Sequence, residues 1–178
     1  CRPAAPVEMP VAPGARSGNC FVVEIVTFRE QFAEAFASLN YEWIESTYGI
    51  EEHDREILDA PFEKIIKPGG QIFFALADDT VAGTAALENK GPDAFELVKM
   101  AVSPKFRGLG IGDRLMNACI EYALQAKRSR ITLDSNTKQA AAICLYRKYG
   151  FREVPLDPNS PYSRVNIRME LAMPPGSM

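Results

Sequence analysis

The stretch Arg107-Gly108-Leu109-Gly110-Ile111-Gly112 decides the expected fold, because it joins a strand-like run to a helix-like run. An apolar segment ending at Met100-Ala101-Val102 precedes it, and residues with helical spacing begin near Ile111. Glycines let a backbone approach a ligand closely, and a helix N-terminus offers unpaired N–H groups with partial positive charge. A strand, a glycine loop and a helix start in series predict a site for a phosphate or pyrophosphate.

Two better-known phosphate loops are excluded by the residues present. A P-loop requires a Gly-Lys pair before Ser or Thr, and the chain contains no Gly-Lys pair. The dinucleotide fingerprint Gly-x-Gly-x-x-Gly fails because Asp113 or Leu115 stands at its last position. What remains is Arg-x-x-Gly-x-Gly at Arg107, Gly110 and Gly112, a pattern that a flexible surface loop would also satisfy.

Length and composition predict one folded domain with short tails. The chain has 178 residues, of which 47% are hydrophobic and 24% charged, as in globular domains with one core. Proline and glycine dominate residues 1–19, which predicts a mobile N-terminal tail. We expect a single domain over residues 20–173 and a C-terminal tail over 174–178.

Composition also argues against several classes of function. The net charge is −3 and no large basic block is present, which argues against nucleic-acid binding. No apolar stretch reaches the roughly 20 residues of a membrane span, so no membrane partner is expected. His53 is the only histidine and none of the four cysteines forms a C-x-x-C pair. We therefore expect no metal site and a reducing, cytoplasmic location.

Hydrophobic periodicity predicts seven strands and four helical segments. Asn40 leaves open whether the first helical run divides in two, and residues 51–66 are either helical or irregular. The order β-α-α-β-β-β-α-β-α-β-β predicts an α/β fold, a mixed and twisted sheet of six to seven strands with helices on both faces. The predicted strands are 21–26, 71–77, 81–87, 94–102, 131–134, 151–154 and 164–171, and the helical segments are 29–48, 51–66, 110–127 and 138–149.

A second signature lies downstream of the glycine loop. The stretch Ala142-Ile143-Cys144-Leu145-Tyr146-Arg147-Lys148-Tyr149-Gly150-Phe151 matches A-x-x-L-Y-x-x-x-G-F. Together with Arg107-x-x-Gly110-x-Gly112, it resembles the GNAT (GCN5-related N-acetyltransferase) superfamily. Two separated signatures at suitable spacing are much harder to meet by chance than one, and the resemblance covers most of residues 21–172.

The resemblance implies acetyl-CoA as co-substrate and assigns residues to hold it. The strand ending at Val102 and the strand beginning near Ile131 are expected to splay, so that unpaired backbone groups bind the pantetheine amides. Asn136 is either a coenzyme contact or only a turn residue. The implied coenzyme-binding residues are Met100, Ala101, Val102, Arg107, Gly108, Leu109, Gly110, Ile111, Gly112, Asp113 (through its backbone N–H), Asn136 and Gln139.

The resemblance also implies a general acid. Tyr146 stands at the family's tyrosine position and would protonate the leaving thiolate, whereas Tyr149 is assigned to core packing. Glu96 is the candidate base, 11 residues before Arg107. Asp134 and a water chain remain alternatives for that role.

Strand alternation gives a further expectation for Glu96. It predicts that Glu96, Val98, Met100 and Val102 share one face of the strand. A carboxylate on that otherwise apolar face would have a raised pKa, which suits a base.

The function implied by the resemblance is N-acetyl transfer to a primary amine by direct attack in a ternary complex. A small molecule or amino acid is favoured over a protein as acceptor, and a homodimer is possible. A non-catalytic acyl-CoA-binding or regulatory module is the alternative. Residues expected on the acceptor side are Tyr41, Trp43, Tyr48, Tyr162 and Arg164, the last as a bidentate partner for a carboxylate.

Overall fold

A computed structural model describes residues 20–174 of the chain. The expected tails at 1–19 and 175–178 lie outside the described residues. Of the helices within 20–174, none has both the length and the apolar character needed to cross a membrane. The regular elements are β1 (Val23–Thr27), a 3-10 turn (Glu30–Phe32), α1 (Ala33–Thr47), α2 (Glu52–Asp59), a π turn (Phe62–Ile66), β2 (Gln71–Ala77), β3 (Thr80–Asn89), β4 (Ala94–Val102), a 3-10 turn (Pro104–Phe106), α3 (Ile111–Gln125), β5 (Arg130–Ser135), α4 (Ala140–Lys148), β6 (Arg152–Val154) and β7 (Ile167–Ala172).

The seven strands form one mixed sheet in the order β1-β2-β3-β4-β5-β7-β6, so the predicted succession of elements is confirmed. The buried residues of α3 and α4 belong to one core cluster, and those of α1 and α2 belong to a second. The two helix pairs therefore cover opposite faces of the sheet. The possible break at Asn40 is wrong, because α1 is continuous and the Asn40 amide donates to the Phe36 carbonyl inside it.

The pairing between β4 and β5 stops halfway along the strands. This parallel pair begins at Ala94 and Arg130, and its last matched residues are Glu96 and Thr132. Beyond them β4 continues to Val102 and β5 to Ser135 without pairing to each other. The expected splay is confirmed, and it opens a gap in the middle of the sheet.

A bulge interrupts β4 at Lys99. The register against β3 shifts there, and the φ angle of Lys99 is 51°, a value that residues with side chains seldom adopt. The Thr84 hydroxyl donates to the Lys99 carbonyl at 3.1 Å, and the Asn40 amide donates to the Thr84 oxygen at 3.1 Å. All three residues are buried, so this network fixes the backbone of the bulge.

The bulge overturns the expected alternation along β4. Val98 packs with the α1 and α2 cluster, but Met100 and Val102 pack with the α3 and α4 cluster. The expectation that Glu96, Val98, Met100 and Val102 share one face is therefore wrong. One extra residue moves everything beyond Lys99 to the other side, because side chains alternate with a period of two.

Candidate active site

The glycine loop leads directly into the N-terminus of α3. Gly108 and Gly110 have φ angles of 80° and 71°, and Gly110 is the residue that precedes the first helical residue, Ile111. Among the described residues, no side chain caps this helix start. The first-turn N–H groups therefore lack the side-chain acceptor that usually satisfies them, and an anion can take its place.

Two side chains near the loop have different roles. Arg107 is exposed and forms no ion pair within residues 20–174. The Asp113 carboxylate is turned toward α4, where it accepts from Lys148 at 2.5 Å and from the Tyr149 hydroxyl at 2.9 Å. The hydrogen bond from Lys148, and then that from Tyr149, holds the pKa of Asp113 below its usual value. The Asp113 carboxylate thus lies toward α4 and away from the loop.

Two cavities follow the gap between β4 and β5. One, of about 260 Å³, is lined by Ala101, Val102 and Arg107. The other, of about 90 Å³, is lined by Glu96, Met100 and Tyr146. Trp43 borders both cavities, so they are neighbours: the first reaches Arg107 of the glycine loop, and the second lies at the strand gap. The second cavity is also lined by Tyr48, Leu97, Val98, Lys99, Asp134, Ser135, Asn136, Gln139, Tyr162, Arg164 and Val165.

Tyr146 is fixed at this cavity by the end of α4. The Gly150 N–H bonds to the Arg147 carbonyl and the Phe151 N–H to the Tyr146 carbonyl, which is the Schellman pattern. The Phe151 ring lies 5.9 Å from the Tyr146 ring. Burial raises the pKa of Tyr146 to about 12, so the phenol keeps its proton at neutral pH.

Glu96 and Asp134 border the cavity from β4 and β5. Burial raises the pKa of Glu96. The Lys90 ammonium, whose Nζ lies 3.3 Å from Oε2 of Glu96, opposes that increase only in part. The Asp134 carboxylate accepts from Arg168 at 2.7 Å and from Ser160 at 2.9 Å, so both of its oxygens are occupied. Glu96 therefore has a raised pKa, and its only charged partner among the described residues, Lys90, contacts one of its two oxygens.

A buried ion cluster forms the opposite wall of the cavity. Asp54 is fully buried at the first turn of α2 and accepts from the Lys99 ammonium and from both terminal nitrogens of Arg164, the latter at 2.8 and 2.7 Å. Burial alone would raise the pKa of Asp54, but the hydrogen bonds from Arg164 and Lys99 outweigh it and hold the pKa well below the usual range. Burial lowers the pKa of Lys99, against the opposing effect of Asp54.

Comparison with known proteins identifies the family. The sequence pattern of the Acetyltransferase (GNAT) family matches residues 36–151, which is more than half of the chain. The chain belongs to the GNAT family. The match contains both signatures, the glycine loop and the α4 motif.

Individual GNAT relatives cover only part of the chain or share only its fold. The N-acetylaspartate synthetase of Rattus norvegicus is 34% identical over 91 residues, which are 50% of this chain and 30% of that protein. The matched part of the chain therefore spans less than a third of that relative's length. A GNAT acetyltransferase from Staphylococcus aureus Mu50 superposes with a TM-score of 0.77 and 22% identity, covering 85% of this chain and 99% of its own. PaiA N-acetyltransferase from Thermoplasma acidophilum, solved with coenzyme A, gives a TM-score of 0.70 and 18% identity, with coverage of 85% and 99%.

The GNAT fold brings most of the sequence-predicted residues to one gap. Asn136 lines the cavity and also forms a turn, because its amide donates to the Arg164 carbonyl at 2.7 Å and its oxygen accepts from Lys138. Gln139 lines the same cavity from the start of α4. Within residues 20–174, no group of three or more His, Cys, Asp or Glu side chains could hold a metal ion.

Two acceptor-side expectations need correction. Tyr41 does not line either cavity, because its hydroxyl bonds to Asp59 at 2.6 Å on the exposed side of α1 and α2. Arg164 binds a carboxylate bidentately, as expected of this side chain, but that carboxylate belongs to Asp54 of the protein itself. The two terminal nitrogens of Arg164 are therefore not open to a ligand. Arg164 lies before β7, which begins at Ile167 and not at the predicted residue 164.

The sequence analysis missed Lys99, which lines the cavity, and Asp54, the buried carboxylate that binds it. The signal was present: Lys99 and Glu96 are the two charged residues in the apolar strand β4. Asp54 stands three residues after Glu51 at a helix start. Glu51 and Asp54 form a capping box, in which each side chain accepts from the other residue's backbone. A charged residue at a position that the apolar pattern marks as buried indicates a partner elsewhere in the fold.

Proposed function

We propose that this chain is an N-acetyltransferase that moves the acetyl group of acetyl-CoA to a primary amine. The observation that carries the proposal is the gap between β4 and β5, with an uncapped helix start at one end and Tyr146 and Glu96 at the other. The α3 amides and Arg107 would bind the pyrophosphate. At Met100 to Val102, the edge of β4 that faces β5 is unpaired, and it would bind the pantetheine amides as an added strand does.

The side chains at the open end suit the proton transfers of the reaction. Glu96 takes a proton from the substrate ammonium, and the freed lone pair attacks the thioester carbonyl carbon. When the C–N bond has formed, the C–S bond breaks and the sulfur leaves with the electron pair. The Tyr146 hydroxyl, as general acid, gives its proton to that sulfur, so CoA leaves as the free thiol. The nitrogen loses its second proton to water as the amide forms, and the Tyr146 phenolate regains a proton from water.

Glu96 is the better base on physical grounds. A base works best with a pKa near the operating pH, and burial moves the pKa of Glu96 upward. Each oxygen of Asp134 already accepts a hydrogen bond, one from Arg168 and the other from Ser160. The lone pairs used in these bonds are not available to take a proton from a substrate. We assign Asp134 to positioning Arg168 and Ser160.

Direct attack in a ternary complex is favoured over a covalent enzyme intermediate. Among the described residues that line the two cavities, none is a cysteine or serine close to a histidine. His53 bonds to Glu56 at the exposed surface and lines neither cavity. Such a site lacks the activated nucleophile that a two-step transfer requires.

The acceptor is proposed to be a small molecule. The cavity next to Tyr146 measures only about 90 Å³, which suits a compact amine better than a peptide segment. The name of the relative N-acetylaspartate synthetase points to an amino acid as its own acceptor. We propose a cytoplasmic location, where acetyl-CoA is available.

An acceptor screen that monitors free thiol tests this proposal. Purified protein and acetyl-CoA are incubated with single amines, and CoA release is compared between the wild type and Tyr146→Phe. We expect thiol release with at least one amine, matched by an equal amount of acetylated product, and a large loss in the variant. Binding of acetyl-CoA without thiol release for any amine would instead favour a non-catalytic acyl-CoA-binding module.

A further inference from the structure

Three hydrogen-bond donors at the acceptor wall lack an acceptor within residues 20–174. The Tyr48 hydroxyl is buried, borders the cavity and has no partner. The Lys99 ammonium uses two N–H groups, on Asp54 and on the Tyr162 oxygen at 3.0 Å, which leaves a third. The Tyr162 oxygen accepts that bond, so its own hydrogen is still unpaired. Buried donors without acceptors are costly and uncommon in native proteins.

The cations at this wall hold these donors in place. Arg164 lies 4.5 Å from the Tyr162 ring centroid and 5.7 Å from that of Tyr48. Burial, and then the negative charge of Asp54, raises the pKa of Tyr162 far above its usual value, so that this phenol remains a donor. A ligand that supplies only acceptor oxygens would satisfy all three groups, and a carboxylate is the simplest such ligand.

The β4 bulge places these donors on the same side as the candidate base. In a regular strand, residues 96 and 99 would point to opposite faces. The extra residue turns Lys99 to the face of Glu96, and both side chains line one cavity. An acceptor bound in that cavity can therefore meet the Glu96 carboxylate and the Lys99 ammonium at the same time.

We propose that the acceptor amine carries a carboxylate, and that Tyr48, Tyr162 and Lys99 bind it while the amine faces Glu96. The acceptor is thus of the amino-acid type, oriented by its two ends between an acid-binding wall and a base. This inference rests on the proposed function, because it names the substrate class of the same site.

Matched acceptors and one fold-neutral variant test the inference. Each α-amino acid is compared with its own carboxamide, which keeps the amine and the shape but removes the negative charge. Thiol release gives kcat/KM for both members of the pair in the wild type, in Tyr48→Phe and in Tyr41→Phe. Tyr48→Phe keeps the ring and removes a hydroxyl that has no partner in the protein, so it is expected to fold.

We expect the wild type to prefer the acid over its amide by at least about tenfold. Tyr48→Phe should lower that preference severalfold, mainly through a higher KM for the acid, and Tyr41→Phe should leave it unchanged. Equal use of acids and amides would overturn the inference while the acetyltransferase proposal stands. So would an equal loss on both acceptors in Tyr48→Phe. Absence of thiol release with every amine would remove both proposals.

Discussion

The coenzyme half and the acceptor half of the gap are built in opposite ways. The coenzyme half consists of neighbours in sequence, from Met100 to Asp113, and its loop is exposed. The acceptor half joins distant residues, Asp54, Lys99 and Arg164, through buried ion pairs. We propose that the coenzyme supplies the acceptors that the loop N–H groups lack, whereas the charged residues of the ion cluster pair with one another. We therefore expect substitutions in the coenzyme half to impair function without lowering the free energy of unfolding. Substitutions in the acceptor half should impair both.

The largest expected effect is the loss of stability when Asp54 is replaced. Asp54→Asn removes the charge that holds two buried cations, which should lower the free energy of unfolding by about 3–5 kcal/mol in urea titration. The folded pKa of Asp54 lies below its unfolded value. The stabilisation is therefore present above about pH 4 and is lost as the pH falls.

Asp59→Asn on the same helix is the matched control. Asp59 only accepts a hydrogen bond from Tyr41 at the exposed surface, so its change should cost less than about 1 kcal/mol. If the two variants unfolded at the same urea concentration, the ion cluster would not stabilise the acceptor half.

Tyr146→Phe separates chemistry from binding at the meeting point of the two halves. We expect kcat to fall about 100-fold, because a general acid contributes at least that much. The dissociation constant for acetyl-CoA should change little, as the phenol contacts only the sulfur in the proposed complex. Tyr149→Phe is the control, since that hydroxyl bonds to Asp113. Equal kcat in wild type and Tyr146→Phe would remove Tyr146 from the mechanism.

The same contrast explains what the sequence could predict. The geometry of the coenzyme half was predictable because it depends on the backbone of one contiguous stretch, where glycine spacing and a helix start are visible directly. The splay and the position of Tyr146 followed from the two family signatures, and the structure contains both features.

The acceptor half was less predictable because its contacts join residues distant in sequence. Lys99 and Asp54 are 45 residues apart, and Arg164 and Asp54 are 110 apart. The sequence alone does not pair such charges. The β4 bulge was also hidden, because it depends on Thr84 and Asn40 from other elements, and it reversed the side-chain alternation beyond Lys99.

Arg107→Met tests whether function and stability separate in the coenzyme half. Loss of one charge-assisted contact to the pyrophosphate should raise the dissociation constant for acetyl-CoA about tenfold, equivalent to about 1.4 kcal/mol. The free energy of unfolding should be unchanged, because Arg107 is exposed and forms no ion pair in the described chain. Lys105→Met is the control for lost charge alone. An equal weakening by both variants would argue for a diffuse electrostatic effect.

The smallest expected effect concerns the pH profile. Lys90 lowers the raised pKa of Glu96, so Lys90→Met should raise that pKa further. The acid limb of kcat/KM should then move to higher pH, because the base must be deprotonated. Lys67→Met, which removes another exposed lysine that pairs with Glu63, should leave the limb in place. An unmoved limb in Lys90→Met would point to Asp134 or to water as the base.

Calorimetric titration of the wild-type protein with acetyl-CoA tests the central claim most directly, because the open strand gap and the uncapped start of α3 are both proposed to bind the coenzyme. The account predicts saturable binding of one acetyl-CoA per chain, weakened by added salt as expected for a pyrophosphate held by Arg107 and backbone amides. A folded protein that gives no binding heat and no shift in its unfolding temperature with excess acetyl-CoA would contradict it.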